Sequence, residues 1–486
     1  MFLALDKPVP QTELPAPSES AAQPVEHLTA IKRLIWLYFW LVIFEGALRK
    51  WVLPGWSNPL LIIRDPVVIL IYVYAFTAGV FPKNSFIAWT IGLGLASFAA
   101  SEIGGSGNLL VTFYGIRTNF LHLPMIFLLP QVFDRRDLEK MAKWLFITSI
   151  PMSFLVLAQF RASPDSWLNN AAGGFTNGQL ESSFGKIRPP GTFSFTSGMV
   201  CYLSLIAAFA MHTLMQTKSK NIKYAIAALP ALALMVGISG SRTVLGSMSL
   251  IILAVVVICA KKPVFFGGGV KAILLIGLAC FALASWSEFR EGLDVHQSRF
   301  EGAGGLKEGF FFRFFGGLLP FSELFNAPFL GYGLGMGTNA ASGFLYGQVR
   351  FNLAEDEWPR IILESGAILG LAFIGLRLAI LIHLTIRSFD SLRRDDPLPL
   401  LLLAAAFTHL LNGQFGVPTL LGWAVFSGGL CLASTNTAAA MIPAPAKSPD
   451  LPELKPAVAK SFRGRSVFAD QLHGEIEDPS IARFGP

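Results

Sequence analysis

The sequence predicts an all-α fold, a polytopic integral membrane helix bundle of about twelve transmembrane helices with a large outer loop between helices nine and ten. Three observations carry the prediction. Of 486 residues, 53% are hydrophobic and only 14% are charged, against roughly a quarter charged in soluble proteins. Apolar runs of about twenty residues, long enough to cross a bilayer, recur along the chain. The net charge of +7 comes from cations grouped in alternate connections, as expected when Lys and Arg are retained on one side.

The runs fall near 33–52, 59–81, 86–104, 115–133, 141–160, 193–215, 223–240, 243–261, 270–287, 361–385, 398–413 and 417–435. Forty-two Phe and ten Trp would overfill a soluble core of this length, whereas lipid accommodates them. The connecting cations are Lys32 and Arg33, then Lys83, then Arg135, Arg136, Lys140 and Lys143. Lys218, Lys220 and Lys223, then Lys261, Lys262 and Lys271, and finally Arg387, Arg393 and Arg394 continue the series. With twelve spans every group falls on one side, which the positive-inside rule makes cytoplasmic, so both termini are expected inside.

Residues 1–30 are polar, rich in Pro, Glu and Gln, and lack an apolar core, so a disordered cytoplasmic tail without a cleavable signal peptide is expected. The transmembrane domain is expected over 31–437, and a second disordered cytoplasmic tail over 438–486, where Pro, Ala, Lys and Ser dominate. Cys201, Cys259, Cys280 and Cys431 lie in or beside apolar runs, with no C-x-x-C spacing. They read as small buried hydrophobes. Two outer loops are long, about 161–192 and 288–360, and no inverted repeat of the secondary-transporter kind is visible.

Cations on the outer side run against the charge trend and mark where chemistry belongs. "EGALRKWVLPGWSNPLLIIRDP" places Arg49, Lys50 and Arg64 at the outer ends of the first two spans. Two readings stand for them: local neutralisation, through a Glu45–Arg49 i,i+4 pair and an Arg64–Asp65 pair, or an anion site. "YGIRTNFLHLP" places Arg117 and His122 in the fourth span, where a guanidinium needs an acid or a phosphate and the imidazole suits a buried hydrogen bond. "GISGSRTVLGS" sets Arg242 between two closely spaced spans, beside a helix N-terminus that offers amide donors to an anion. Pro189 and Pro190 stiffen the approach of Arg188 to the membrane surface. "NLAEDEWPRIILESG" crowds Glu355, Asp356 and Glu357 beside Arg360, either a solvated acidic turn or a carboxylate tuned as a general base.

"NAPFLGYGLGMG" adds Gly331, Gly333, Gly335 and Gly337 at alternate positions. Its spacing misses the dinucleotide fingerprint, whose third glycine would fall on Met336 or Thr338. It reads either as a turn that moves with a bulky substrate or as a structural turn beneath the large loop.

Four stretches together resemble the bacterial O-antigen polymerase and O-antigen ligase superfamily: "IRPPGTFSFTSG", "SGSRTVLG", "NAPFLGYGLGMG" and "EDEWPRIILESGAILGL". The resemblance runs from Arg49 to about Gly429. It implies a membrane glycosyltransferase at the periplasmic face of the bacterial inner membrane, which makes the large loop periplasmic. By resemblance the enzyme transfers glycan from undecaprenyl diphosphate to an acceptor hydroxyl and polymerises repeat units into O-antigen, capsule or exopolysaccharide. Aligned on Glu364 and Gly366, the family's His and Asn fall on Glu355 and Asp356, and Gly246 stands where ligases tend to carry Leu. A carboxylate at 355 can accept a proton but cannot neutralise a diphosphate, which favours a polymerase over a ligase.

The implied assignments are Glu355 as base, Arg242 as the first diphosphate contact, and Arg188, Arg117 and Arg313 beside it. Asp356 or Arg360 would orient the base, and Arg49 and Arg64 complete the expected anion site. Protein-held cations can take a metal's part, so no metal, cofactor or nucleotide is expected. The expected partners are the lipid-linked glycan, the lipid bilayer, a chain-length regulator and a flippase, with no nucleic acid. The alternatives are a ligase acting on a lipid acceptor and, from another class, a polysaccharide or lipid-linked glycan transporter. A transporter would show broken helices and charges at membrane depth.

Overall fold

The computed structural model describes residues 19–105, 108–176, 178–216, 219–302, 321–346 and 353–436. The expected C-terminal tail lies outside them, as do Arg313 and Lys218. The chain begins with α1 (Glu19–Ala47), α2 (Ser57–Leu60), α3 (Arg64–Thr77), α4 (Ser85–Gly104), α5 (Leu109–Ile116) and α6 (Met125–Val132). It continues through α7 (Arg135–Arg161), α8 (Thr196–Met215), α9 (Ile222–Ile238), α10 (Arg242–Lys261), α11 (Phe266–Leu283) and α12 (Ser287–Glu301). Two short helices, α13 (Phe321–Asn326) and α14 (Asn339–Tyr346), precede α15 (Glu357–Arg393), α16 (Leu398–Asn412) and α17 (Pro418–Thr435). Helix α1 thus starts inside the segment read as a tail. Among the described residues the only β pairing is the isolated bridge Glu181–Ile187.

Nine helical segments among the described residues are long and apolar enough to cross a membrane, while α9 and α16 are shorter and also apolar. The remaining expected run, 115–133, is interrupted: α5 passes into a π turn, Arg117–Leu121, before α6 resumes. Local chemistry sets several boundaries. The side chain of Asn84 accepts from the Ile87 N–H at 3.0 Å and that of Asn108 from the Val111 N–H at 3.2 Å. Asp134 and Asp137 form a capping box on α7. The apolar windows of α8 and α17 are wholly buried, the position expected of helices that are hydrophobic all round. Outer helices instead leave Leu95, Phe154, Leu274 and Phe281 exposed, as a lipid-facing surface requires.

Polar contacts define two ends of the bundle. At one end Lys32 bonds Asp137 at 2.5 Å, Arg135 bonds Asp396 at 2.8 Å, and Lys262 bonds Asp395 at 2.6 Å. The start of α1 and the end of α17 both lie here, since the side chain of Asn436 donates to the Pro130 carbonyl at 3.1 Å. The opposite end gathers the C-termini of α1, α7 and α16 and the N-termini of α3, α8 and α17, and at this end helices break.

Helix α15 is the sharpest break. Gly366 has φ 75° and ψ 169°, a conformation open only to glycine. A straight helix would hold Glu357 and Arg377 about 30 Å apart. Their side chains are instead paired at 2.8 Å, so the segment folds back on itself at Gly366, with arms of about 13 and 16 Å. Gly370 supports the bend, because a Cβ there would meet the backbone of Ile362 on the other arm.

The glycine-rich stretch wraps that apex. The N–H groups of Tyr332 and Gly333 donate to the carbonyls of Leu363 and Glu364 at 2.8 and 3.1 Å. Leu334 N–H donates to the Ser101 hydroxyl at 2.6 Å, and Gly337 N–H to Glu364 Oε1 at 2.8 Å. Gly331, Gly333 and Gly335 all take positive φ, at 76°, 112° and 88°. A Cβ on Gly331 or Gly335 would strike the carbonyl of Glu364 or Val111. The stretch is a packed strap, as the structural reading expects, and its glycines allow backbone to lie against backbone.

Candidate functional site: two buried ionic centres at the broken-helix end

The first centre forms where α1 ends and α3 begins. Glu45, in the last turn of α1, pairs with Arg49 at 3.4 Å and with Arg64 at 3.0 Å. Arg49 lies in the π turn Leu48–Val52 and also donates to the Ser57 carbonyl at 3.0 Å and the Ser194 hydroxyl at 3.2 Å. Arg64 is fully buried and donates to the Pro418 carbonyl at 2.5 Å. Gly422 makes room for it, since a Cβ there would overlap the guanidinium. Asp65 turns the other way and holds Arg117 and, at 3.0 Å, His122. Imidazole Nε2–H donates to that carboxylate, which leaves Nδ1 to accept from the Tyr38 hydroxyl at 3.1 Å. The expected Glu45–Arg49 pair is present, whereas Arg64 and Asp65 take separate partners.

Lys50 is the outlier of this centre. It is 1% exposed and faces no carboxylate among the described residues: its ammonium donates to the Gly191 carbonyl at 2.6 Å and lies 4.2 Å from the Trp51 ring centre. Gly191 belongs to the "RPPGTF" stretch, which Gln159 grips from both sides through the Gly191 N–H and carbonyl. Thr192 completes the join by donating to the Ile43 carbonyl at 2.7 Å. The centre therefore holds four basic side chains (Arg49, Lys50, Arg64 and Arg117) against two carboxylates, Glu45 and Asp65. Arg117 Nη1 is buried without a hydrogen-bond partner among the described residues. A buried excess of basic groups is stable only if an anion or water offsets the charge or an amine gives up its proton.

The second centre is balanced. Glu357 pairs with Arg360 at 2.9 Å and Arg377 at 2.8 Å, and Arg360 pairs with Glu364 at 2.7 Å. Arg377 donates to the Leu410, His409 and Gly413 carbonyls at 2.9, 3.2 and 2.9 Å, so it caps the C-terminus of α16. Phe415 lies under its guanidinium, 3.9 Å from ring centre to carbon. Asn119 joins the two centres: it sits in the same π turn as Arg117, accepts from Arg360 at 3.0 Å and donates to Glu364 at 3.4 Å. Helix α5 runs about 12 Å before reaching that turn.

The structure thus buries Arg49, Arg64, Arg117 and Arg360 in two adjoining centres linked by Asn119. Glu355 and Asp356 stand beside the second, exposed, just before the first turn of α15, and the Glu355 carbonyl accepts from the Gln414 side chain. Arg242 belongs to a separate cluster. It opens α10, is half-buried, and donates to the Arg299 carbonyl of α12 at 3.4 Å. Arg188 is half-buried at the end of the hairpin that packs on α12, where Lys186 pairs with Glu291 at 3.0 Å and Ser183 meets Ser298 at 3.1 Å. Arg313 lies outside the described residues.

Sequence reasoning gave no role to Arg377 or Asn119, and used Glu364 only to align the acidic block. Arg377 carried a signal, because an arginine inside the 361–385 run demands a partner at depth. A groove of about 540 Å³ lined by Glu26, Thr29, Arg33 and Tyr74 lies at the opposite end of the bundle, away from both centres.

These features define an all-helical protein of the multi-pass membrane type, with buried ionic centres where its helices break. The chain matches no protein-family model and no curated protein.

Proposed function

We propose that this chain is a membrane glycosyltransferase that polymerises undecaprenyl-diphosphate-linked repeat units into surface polysaccharide at the periplasmic face of a bacterial inner membrane. In this reading it crosses the membrane twelve times, counting α9, α16 and the interrupted α5–α6 segment, with both termini cytoplasmic. The observation that carries the proposal is the cation excess of the first centre. Four buried basic groups against two carboxylates suit a site that receives an anion such as a lipid diphosphate. The four sequence stretches that resemble the O-antigen polymerase and ligase superfamily line or adjoin this end of the bundle.

The reaction is displacement at the anomeric carbon. An acceptor hydroxyl attacks it, the bond to the diphosphate oxygen breaks, and the hydroxyl proton passes to a carboxylate. Glu357 and Glu364 are held by two and one arginines and cannot serve without breaking buried pairs, which leaves Glu355 exposed and available as the base. Arg242 and Arg188, half-buried in the cluster on α12, and Arg117, in the first centre, are the proposed donors for the leaving diphosphate, which must then span the two clusters and whose charge develops in the transition state. Direct displacement inverts the anomeric centre.

Purified protein in vesicles containing lipid-linked repeat units tests this. Elongated glycan and free undecaprenyl diphosphate should form without nucleotide or ion gradient. Arg242→Ala should abolish transfer in inserted protein, and Glu355→Gln should slow it by about a hundredfold or more. Full activity in both variants would remove the assignment. A ligase would instead need a lipid acceptor, and cells lacking it would accumulate full-length glycan on the carrier. A transport reading gains from one observation, the charges held where helices break. Gradient-dependent glycan movement without product formation would establish it in place of transfer.

A further inference from the structure

The outer loop after α7 carries large aromatic rings that the bundle does not cover. Trp167 is 65% exposed and Phe175 71%, and Trp56, in the connection between α1 and α2 whose Pro54 packs on Gly174, is 64% exposed. The loop is anchored to the first ionic centre through the backbone. The Trp51 indole N–H donates to the Trp167 carbonyl at 3.0 Å, with the two rings edge to face at 6.4 Å. Gly173 N–H donates to the Arg49 carbonyl at 3.0 Å, and Ala171 N–H to the Phe175 carbonyl at 2.8 Å. The aromatic loop is therefore tied to the same π turn that presents Arg49 and Lys50.

Amide oxygens accompany the rings. Asn169, Asn170 and Gln179 each keep a side-chain oxygen that is buried and accepts no hydrogen bond among the described residues. Asn169 and Gln179 are themselves buried, at 0% and 7% exposure. Gln179 spends its amide N–H on the Asn170 carbonyl at 3.0 Å, so these two residues share one corner of the loop. Exposed flat apolar faces, with unpartnered amide acceptors enclosed in the same loop, match a ligand with apolar C–H faces and with hydroxyl donors that reach the amides when the loop yields to it. That is the surface of a pyranose ring. A purely interfacial aromatic belt needs the rings but gives no use to the amides.

We propose that Trp51, Trp56, Trp167 and Phe175, with Asn170 and Gln179, form a binding shelf for the sugar rings of the acceptor glycan, beside the first ionic centre. The inference rests on the glycosyltransferase reading for its ligand, and the shelf binds sugar whether or not transfer occurs.

The experiment uses full-length protein in vesicles and soluble oligosaccharides released by mild acid from the source cell's own surface polysaccharide. Tryptophan fluorescence should quench saturably. Trp167→Ala should weaken binding tenfold or more and Trp167→Phe less than threefold, while Trp167→Leu should match the Ala variant. In the transfer assay Trp167→Ala should raise the acceptor KM and leave the donor KM unchanged. Saturable binding without any transfer would sink the proposed reaction and keep the shelf. Transfer with no saturable quenching, or Trp167→Leu binding as wild type does, would overturn the shelf and mark these rings as membrane anchors.

Discussion

Arg377→Met tests the fold-back of α15 and the second ionic centre together. The guanidinium is 2% exposed and makes four contacts, one to Glu357 at 2.8 Å and three to carbonyls at the end of α16. Methionine fills much of the volume but supplies no donor. Glu357 then keeps Arg360 and the Phe415 N–H, which donates at 3.1 Å, while three helix-end carbonyls lose a donor. Removing one partner of a buried pair costs about 3–5 kcal/mol, and each stranded acceptor adds about 1–3 kcal/mol where water cannot reach it. Water that enters the gap, and α16 fraying at its end, offset part of this, so a loss of about 4 kcal/mol is expected.

The companion variant Arg377→Met with Glu357→Gln removes the stranded charge and should recover about 1–3 kcal/mol. Equilibrium unfolding in mixed detergent and SDS micelles measures both. If single and double variants each lie within about 1 kcal/mol of the wild type, the arginine is hydrated and the two arms of α15 are not paired.

Three further outcomes are expected. Spin labels at Asp356 and Ala379, in a background without the four cysteines, should lie closer than about 20 Å, against about 35 Å for a continuous helix. Double electron–electron resonance distinguishes the two. Gly366→Ala should lose at least about 3 kcal/mol through its backbone conformation and overlap with the Phe329 carbonyl. Gly92→Ala, which faces open space on α4, should gain up to about 1 kcal/mol, and equal effects at the two sites would contradict the bend.

The third concerns α12, outside the spanning helices. Burial holds the pKa of His296 below the usual 6.5; the Val236 carbonyl opposes the shift and the Arg299 charge adds to it. The folded state then binds fewer protons than the unfolded one. Docking of α12 should be complete above about pH 6.5 and weaken as pH falls below it. Hydrogen exchange across 287–301, corrected for intrinsic rates, should show this, and His296→Gln should flatten the dependence.

The positions of the spans were legible in the sequence because bilayer crossing is a local property of some twenty consecutive residues. Runs such as 86–104 and 193–215 reappear as α4 and α8 within a few residues. The presence of charge at the outer ends was legible for the same reason, and so was the oddity of Arg117 inside a run. The pairings were not. Glu355, Asp356 and Glu357 look equivalent on paper, yet only Glu357 is buried, because the turn into α15 points it at Arg377 while its neighbours face outward. The strap role of the glycines was equally hidden, since its partners are Ser101, Val111 and the apex at Gly366.

By itself the sequence determined an all-helical membrane-type chain, where its helices run, and which end collects unusual cations. Only the tertiary structure decided which charges meet. Arg64 and Asp65 show why. Consecutive residues at the start of a helix point about 100° apart, so the two cannot pair with each other. One reaches back to Glu45 and the other across to Arg117 and His122. That division leaves the first centre with more cations than carboxylates.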